Sequence, residues 1–208
     1  MWKDRVPYAY WRGNPNVAAS RRQLMWCNVF DKYDWNARLY RQASYIESEQ
    51  GYEYSKLEDQ CTHRYKIYIE GRGWSVSEKY ILACDSMTLI VKPEFYDFFI
   101  RSMVPLQHYW PVHFRFPGLV GPYVPNSVVL FRHTDKVAQA IGKAGSKFIQ
   151  ENLKMERVYD YMFHLLTKYS ELLKFKPRIP EGAAERCVQR VWHALGEVYG
   201  RNSWRRLR

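Results

Sequence analysis

The sequence predicts an α/β fold with a mainly parallel sheet and flanking helices. Its middle part has the order strand, helix, strand, helix, strand, and repeated units of this kind make successive strands parallel through right-handed crossovers. One of these strands, SMTLIVKP after Asp85, is a dense apolar run, as expected for a strand buried on both faces. A chain of 208 residues can form one sizeable domain or two small ones with a buried core.

The first part of the chain contains one clear strand. Residues 6–11, VPYAYW, alternate in character and are followed by the turn-forming sequence RGNP. Ser20 then predicts the cap of a short helix over the apolar residues that follow it. Residues 31–60 are polar with weak periodicity, so we expect mostly loop with some helix.

A second strand runs directly into a helix. Residues 63–69 alternate, and Gly71-Arg72-Gly73 ends the strand. Ser75 and Glu78 have the S-x-x-E spacing of a capping box, in which each side chain satisfies a backbone N–H of the first helical turn. We therefore expect a helix that begins immediately after the glycine turn.

The next part of the chain is predicted to form one helix and one short strand. Residues 93–103 begin with proline and place Phe95, Phe98 and Phe99 on one face, which predicts a helix against the sheet. Residues 106–112 predict another short strand, whereas residues 113–131 fit no ordinary element.

Two further helices are predicted near the end of the chain. Thr134 or Asp135 caps the first, and a second helical run follows from residue 155. Its apolar stripe is typical of a helix that faces a core. The stripe comprises Val158, Tyr161, Met162, Leu165, Leu166, Tyr169, Leu172 and Leu173.

Residues 71–77 are the strongest candidate for a binding loop. They lie where a parallel strand leads into a helix, and ligands of open α/β sheets bind at that edge. Glycines allow close backbone approach, and unpaired N–H groups with the helix dipole favour a diphosphate. Local sequence also allows a plain turn with a capped helix. GRG is not the G-x-G-x-x-G fingerprint, and GKAGSK at residues 142–147 is not a P-loop.

Composition narrows the choice of partners. The formal net charge of +11 favours anions such as nucleic acids, membrane surfaces and nucleotide ligands. No nucleic-acid recognition motif is present, which argues against a nucleic-acid-binding protein. No run approaches the roughly 18 apolar residues of a membrane span, so no transmembrane helix is expected. The N-terminus lacks the apolar region of a signal peptide. The four cysteines form no CxxC pair, so zinc is not expected, and no catalytic triad stands out. The classical dinucleotide and P-loop motifs are also absent, so no cofactor is expected.

Six segments resemble glycosyltransferase family 90, the family of Rumi-type protein O-glucosyltransferases and fungal capsule-associated xylosyltransferases, and especially its plant members. They are VPYAYWRGNP, LEDQCTHRYKIYIEG, WSVSEKYILACDS, KPEFYDFFIRSMVPLQHYWPV, HTDKVAQAIGKAGSKFIQENLKM and VYDYMFHLLTKYSELLKFKP. The resemblance covers residues 3–112 and 133–177. It implies a GT-B architecture, in which a nucleotide-sugar lies between two Rossmann-like lobes, and this chain resembles the C-terminal, donor-binding lobe.

The resemblance also implies site residues. Asn14 and Arg21 match donor-contacting positions, and a loop matches the one that holds the UDP group. Ser77 departs from the animal enzymes, which have arginine there, so Arg21, Arg72 and Lys79 are candidates to balance the diphosphate charge. Cys61 and Cys84 match a disulfide pair, which implies that the parent family is in the ER or Golgi lumen or is membrane-anchored. The loop residues are Arg72, Gly73, Trp74, Ser75, Val76 and Ser77.

Three regions of the chain are interpreted from the resemblance. Residues 1–177 form a donor-binding domain in which 113–131 diverge, and residues 178–208 are a basic, divergent tail. The first lobe, which supplies the acidic catalytic base and most of the acceptor site, would precede Met1, so the sequence is interpreted as a truncated or mispredicted gene product. The catalytic residue is therefore not assigned within this chain.

The expected function is that of a UDP-sugar-dependent glycosyltransferase fragment. It would bind UDP-glucose or UDP-xylose for inverting, metal-independent transfer to a hydroxyl of a protein or glycan, without contacting nucleic acid or membrane. The alternative is a non-catalytic nucleotide-binding or protein-interaction module derived from such a lobe.

Overall fold

The structure is a computed structural model that describes residues 1–28, 34, 36–42, 44–53, 55–112, 135–178 and 180–183. The chain divides into two units, Met1–Tyr161 and Met162–Arg208. The predictions for residues 113–131, for Thr134 and for most of the basic tail lie outside the described residues. The domain boundary at residue 177 stays a prediction.

A five-stranded sheet, parallel throughout its described pairings, forms the centre of the first unit. This confirms the predicted α/β class, a Rossmann-like parallel sheet flanked by helices. The strand order is β2-β1-β3-β4-β5. The strands are β1 (Val6–Gly13), β2 (Ala37–Arg41), β3 (His63–Tyr68), β4 (Met87–Val91) and β5 (Trp110–Val112).

Strand β2 lies in the segment that was expected to be mostly loop. Only Ala37 and Leu39 of this five-residue edge strand are buried, and charged Arg38 and Arg41 interrupt the pattern. An edge strand gains its order from pairing with β1, which local sequence does not reveal. Strand β5 was predicted in the right place but is shorter than residues 106–112.

The described helices are α1 (Ala19–Leu24), α2 (Ser44–Glu49), α3 (Ser77–Leu82), α4 (Asp135–Asn152) and α5 (Met155–Leu172). Helices α1, α3, α4 and α5 match predicted helices, and α2 lies in the segment that was predicted to contain some helix. The predicted cap of α1 is wrong, because Ser20 lies inside the helix and Ala18 occupies the cap position without a side-chain bond.

The helix predicted over residues 93–103 is also wrong. Only a short 3-10 turn forms, at Ile100–Ser102. The Glu70 carboxylate accepts hydrogen bonds from the backbone N–H groups of Glu94 and Phe95, and Asp97 Oδ1 accepts one from Phe98 N at 2.8 Å. Carboxylates that bind backbone amides in this way compete with helical hydrogen bonds.

Two hydrophobic clusters cover the two faces of the sheet. Alternate residues of β4 divide between them, with Leu89 in one cluster and Ile90 in the other. Helix α4 approaches the chain backbone closely at two glycines. A Cβ on Gly142 would lie 2.7 Å from the carbonyl carbon of Ser86, and one on Gly145 would collide with the carbonyl oxygen of His108.

Helix α5 contradicts the expectation that its apolar stripe faces a core. None of its residues is buried, and the exposed fractions of its large apolar side chains from Tyr161 to Leu172 lie between 40% and 76%. In the described ranges, no helix has the length and apolar character needed to cross a membrane.

Candidate functional site

The carboxyl ends of the five strands define one edge of the sheet, and a crevice is expected there at the point where the strand order reverses. From β1 the chain moves outward to β2, then returns to the other side of β1 to build β3, β4 and β5. The loops after β1 and β3 therefore leave neighbouring strands in opposite directions. Such a point is where open α/β sheets bind ligands.

Arg21 joins these two loops. It lies on α1 with 8% of its surface exposed. Its Nε donates to the carbonyl oxygens of Glu70 at 3.0 Å and Ile69 at 3.3 Å, its Nη2 donates to Ile69 O at 2.9 Å, and its Nη1 donates to Asn14 O at 3.4 Å. Burial lowers the pKa of the guanidinium. Because its donors are directed at the backbone, Arg21 positions the two loops.

Glu70 extends the junction to the loop after β4. While its carbonyl accepts from Arg21, its carboxylate accepts from Glu94 N at 3.1 and 3.0 Å and from Phe95 N at 3.1 Å. Three loops at the carboxyl edge are thus linked through one residue. The sequence argument did not identify Glu70 as a site residue; the available signal was a carboxylate directly after a buried strand.

The candidate loop is organised differently from a capping box. Gly71 N donates to Gly73 O at 3.0 Å, which closes the turn. Ser75 N donates to the buried hydroxyl of Tyr68 at 3.1 Å, and the Ser75 and Ser77 hydroxyls are 2.9 Å apart. Helix α3 begins at Ser77 with Val76 at its cap and no side-chain cap bond. The capping-box prediction is therefore wrong, because Ser75 is bonded to a strand residue and to Ser77.

The other predicted binding residues lie within this loop or beside it. Arg72, Trp74 and Val76 are exposed, with Trp74 at 48%. Asn14 Oδ1 accepts from Asn16 N at 2.8 Å and so stabilises its own turn. Lys79 is paired with the carboxylate of Asp97. Of the three cations considered as balances for a diphosphate, Arg21 and Lys79 are therefore bonded within the chain and Arg72 is the exposed one.

A buried carboxyl lies under the loop. Glu78 is 2% exposed. Burial, together with the charge of Asp97, raises its pKa to about 7, against the opposing effects of Lys79 and a hydrogen bond with Tyr68. Tyr68 thus connects Glu78 to the backbone N–H of Ser75, and the same burial raises the pKa of the Tyr68 hydroxyl.

Glu78→Gln is expected to remove a pH-dependent loss of stability. Between its ordinary pKa of 4.5 and its folded pKa of about 7, the folded protein holds the proton that the unfolded chain releases, so wild-type stability falls as pH rises. The variant should lie close to wild type at pH 4.5 and exceed it by roughly 3 kcal/mol above pH 7. Urea unfolding across this range measures the difference. Exposed Glu49→Gln is the control, and parallel curves for Glu78→Gln and wild type would refute the assignment.

The predicted disulfide is present at the opposite edge of the sheet. Cys61 precedes β3 and Cys84 follows α3, and their sulfurs are bonded. The bridge therefore joins the amino ends of β3 and β4 and contributes to stability, away from the candidate loop. Cys27 is a buried thiol, and burial raises its pKa to about 11. Across the described ranges, no three histidine, cysteine or acidic side chains are grouped as a metal site requires.

Comparisons with known proteins agree with this fold. The profile of glycosyl transferase family 90 matches residues 1–200. The chain is 32% identical over 119 residues to protein O-glucosyltransferase 1 of Bos taurus, covering 57% of this chain and 29% of the relative. It is 26% identical over 205 residues to an O-glucosyltransferase rumi homolog of Aedes aegypti, covering 95% of this chain and 46% of the relative. The chain thus spans less than half the length of these relatives.

Proposed function

This chain belongs to glycosyl transferase family 90, and from that premise we propose that it is the donor-binding part of an enzyme that transfers a sugar from a UDP-sugar to a hydroxyl group of a protein or glycan. Glucose is the first candidate sugar because the similar proteins are named O-glucosyltransferases, and xylose is the second. In this proposal transfer inverts the anomeric centre and needs no metal. The acidic base that deprotonates the acceptor comes from outside this chain.

The observation that carries the proposal is the junction of three loops at the strand-order reversal. Arg21 and Glu70 fix the backbone of the loops after β1, β3 and β4 through hydrogen bonds of 2.9 to 3.4 Å. A backbone held in this way can present N–H groups to a diphosphate without further reorganisation. Exposed Arg72 adds positive charge, and the exposed Trp74 ring offers a face for the base or the sugar.

The disulfide supports a location for this activity. Cys61 and Cys84 are bonded, and structural disulfides persist in oxidising compartments. We place the activity in the lumen of the secretory pathway, where secreted proteins and glycans present hydroxyl acceptors.

Gly73→Val is the sharpest test of the loop. A Cβ at Gly73 meets no atom within 4 Å, so the fold should tolerate the side chain, whereas a ligand lying against the backbone would collide with it. We expect the dissociation constant for UDP, measured by calorimetry, to rise at least about tenfold with an unchanged melting temperature. Gly73→Ala should give a smaller loss.

The matched control is Ser102→Val, which adds the same branched side chain to an exposed turn. GDP and ADP serve as ligand controls for the uracil base. Equal affinity of wild type and Gly73→Val for UDP would reject the loop as the donor site. Absence of UDP binding by wild type would reject the proposed function itself.

A further inference from the structure

Three residues beneath the candidate loop form a closed ring of hydrogen bonds. Glu78 N donates to Ser75 O at 3.0 Å, Ser75 N donates to the Tyr68 hydroxyl at 3.1 Å, and the Tyr68 side chain is hydrogen-bonded to the Glu78 carboxyl. Tyr68 is fully buried and Glu78 is 2% exposed, whereas Ser75 is half-buried. Both backbone groups of Ser75 are therefore connected to one residue whose carboxyl group is buried.

The groups around the Glu78 carboxyl favour its neutral form. Burial has the largest effect on its pKa, and the negative charge of Asp97, in the loop after β4, acts in the same direction. Lys79 opposes this effect, but it is paired with Asp97, so one acid of these three ionisable residues has no base of its own. The titratable groups that face Glu78 are Tyr68, Glu70, Lys79, Asp97 and, just before β5, Tyr109.

The ionised form of Glu78 would oppose an anion bound at the loop. Two negative charges that are separated by protein interact more strongly than the same charges in water. An anion at the loop should therefore favour the protonated carboxyl of Glu78. By reciprocity, a proton on Glu78 should strengthen the binding of the anion by the same factor.

We propose that Glu78 is a positioning residue for the candidate loop: the protonated side chain holds Tyr68 and the Ser75 backbone in the state that accepts an anionic ligand, and the ionised side chain weakens the binding of that ligand. The inference rests on the proposed function, since the anion is the nucleotide-sugar of this site. It adds a regulation of the site, because donor binding becomes coupled to the uptake of a proton. The coupling acts around neutral pH, where the buried carboxyl titrates.

Calorimetry with UDP-glucose between about pH 6 and about pH 8.5 tests this role. UDP-glucose is the probe because the terminal phosphate of UDP itself titrates in this range, whereas an esterified diphosphate does not. The dissociation constant of wild type should rise about tenfold as Glu78 ionises, which corresponds to a change of one pKa unit on binding. Glu78→Gln stays neutral, so its dissociation constant should change less than about twofold. Glu49→Gln, which removes an exposed carboxylate of α2, should follow wild type.

Two further variants should move the pH profile in opposite directions. Asp97→Asn removes a charge that disfavours ionisation of Glu78 and frees Lys79, so the fall in affinity should occur at lower pH than in wild type. Tyr68→Phe removes a hydrogen bond that favours ionisation, so the fall should occur at higher pH. At the acidic end of the range Tyr68→Phe should also bind roughly fivefold more weakly, because the Ser75 N–H loses its partner. Residues that only support the fold would not shift the profile in opposite directions.

Proton uptake on binding provides a second measurement. At about pH 7.5, binding heats in two buffers of different ionisation enthalpy should show that wild type takes up more protons than Glu78→Gln. Equal proton uptake, or parallel pH profiles of wild type and Glu78→Gln, would overturn the role of Glu78 while leaving the proposed function standing. Absence of UDP-glucose binding by wild type across the whole pH range would reject the proposed function and this role together.

Discussion

Replacing Arg21 with methionine is expected to destabilise the protein by about 3–4 kcal/mol and to abolish UDP binding. The guanidinium bonds the carbonyls of Asn14, Ile69 and Glu70. Methionine fills a similar volume but donates no hydrogen bond, so buried acceptors lose their partners, and each such loss costs about 1–3 kcal/mol. The loops after β1 and β3 would then lose the connection that fixes their separation.

Urea unfolding and calorimetry with UDP together measure this effect. A loss of this size should lower the melting temperature by roughly 10 °C for a chain of this length. Arg22→Met is the matched control, because Arg22 is the next residue of α1, is exposed, and makes one long hydrogen bond of 3.4 Å to Asn16 O. Arg21→Lys should recover part of the stability, since an amine donates but does not reproduce the planar fork. An unchanged melting temperature in Arg21→Met would contradict the positioning role.

The parallel sheet could be predicted because its central strands carry strong local signals. All five residues of β4 are buried. Residues 63–69 alternate in the sequence before the glycine turn, although in the structure every residue of β3 except Arg64 is buried. Apolar runs and alternating patterns are typical of strands in a sheet, and a short segment of sequence is enough to show them. The edge strand β2 carries no such signal, because only two of its side chains are buried and its order depends on pairing with β1.

The candidate loop could be located from the sequence, but the contacts that shape it could not. Position after a buried parallel strand was enough to identify residues 71–77. The carboxylate of Glu70 binds amides 24 and 25 positions further along the chain, and Arg21 binds carbonyls 48 and 49 positions away. Such long-range bonds leave no periodic pattern.

The same competition explains the errors in local structure. The Ser75 N–H is bonded to the Tyr68 hydroxyl, so Ser75 and Glu78 do not form the capping box that their spacing predicts. Glu70 and Asp97 bind backbone amides between residues 94 and 98, so the phenylalanine pattern there does not form a helix. In both places a polar side chain accepts hydrogen bonds from backbone N–H groups on which the predicted local structure depended.

Changing both Cys61 and Cys84 to serine is expected to cost about 3 kcal/mol of stability and to leave UDP affinity within about twofold of wild type. The bridge closes a chain segment with a sequence separation of 23. Cross-linking a loop of that length lowers the conformational entropy of the unfolded chain, which raises the free energy of unfolding by about 3 kcal/mol. The affinity should survive because the bridge joins the amino ends of β3 and β4, whereas the candidate loop lies at their carboxyl ends.

Urea unfolding of oxidised wild type, reduced wild type and the double-serine variant measures the loss. Reduced wild type and the variant should unfold at similar denaturant concentrations, because both lack the cross-link. Cys27, which is buried in the folded chain, provides an internal check, since a thiol reagent should reach it only after unfolding. A double-serine variant as stable as oxidised wild type would show that the bridge does not restrict the unfolded chain. A selective loss of UDP binding without loss of stability would instead place the binding site at the wrong edge of the sheet.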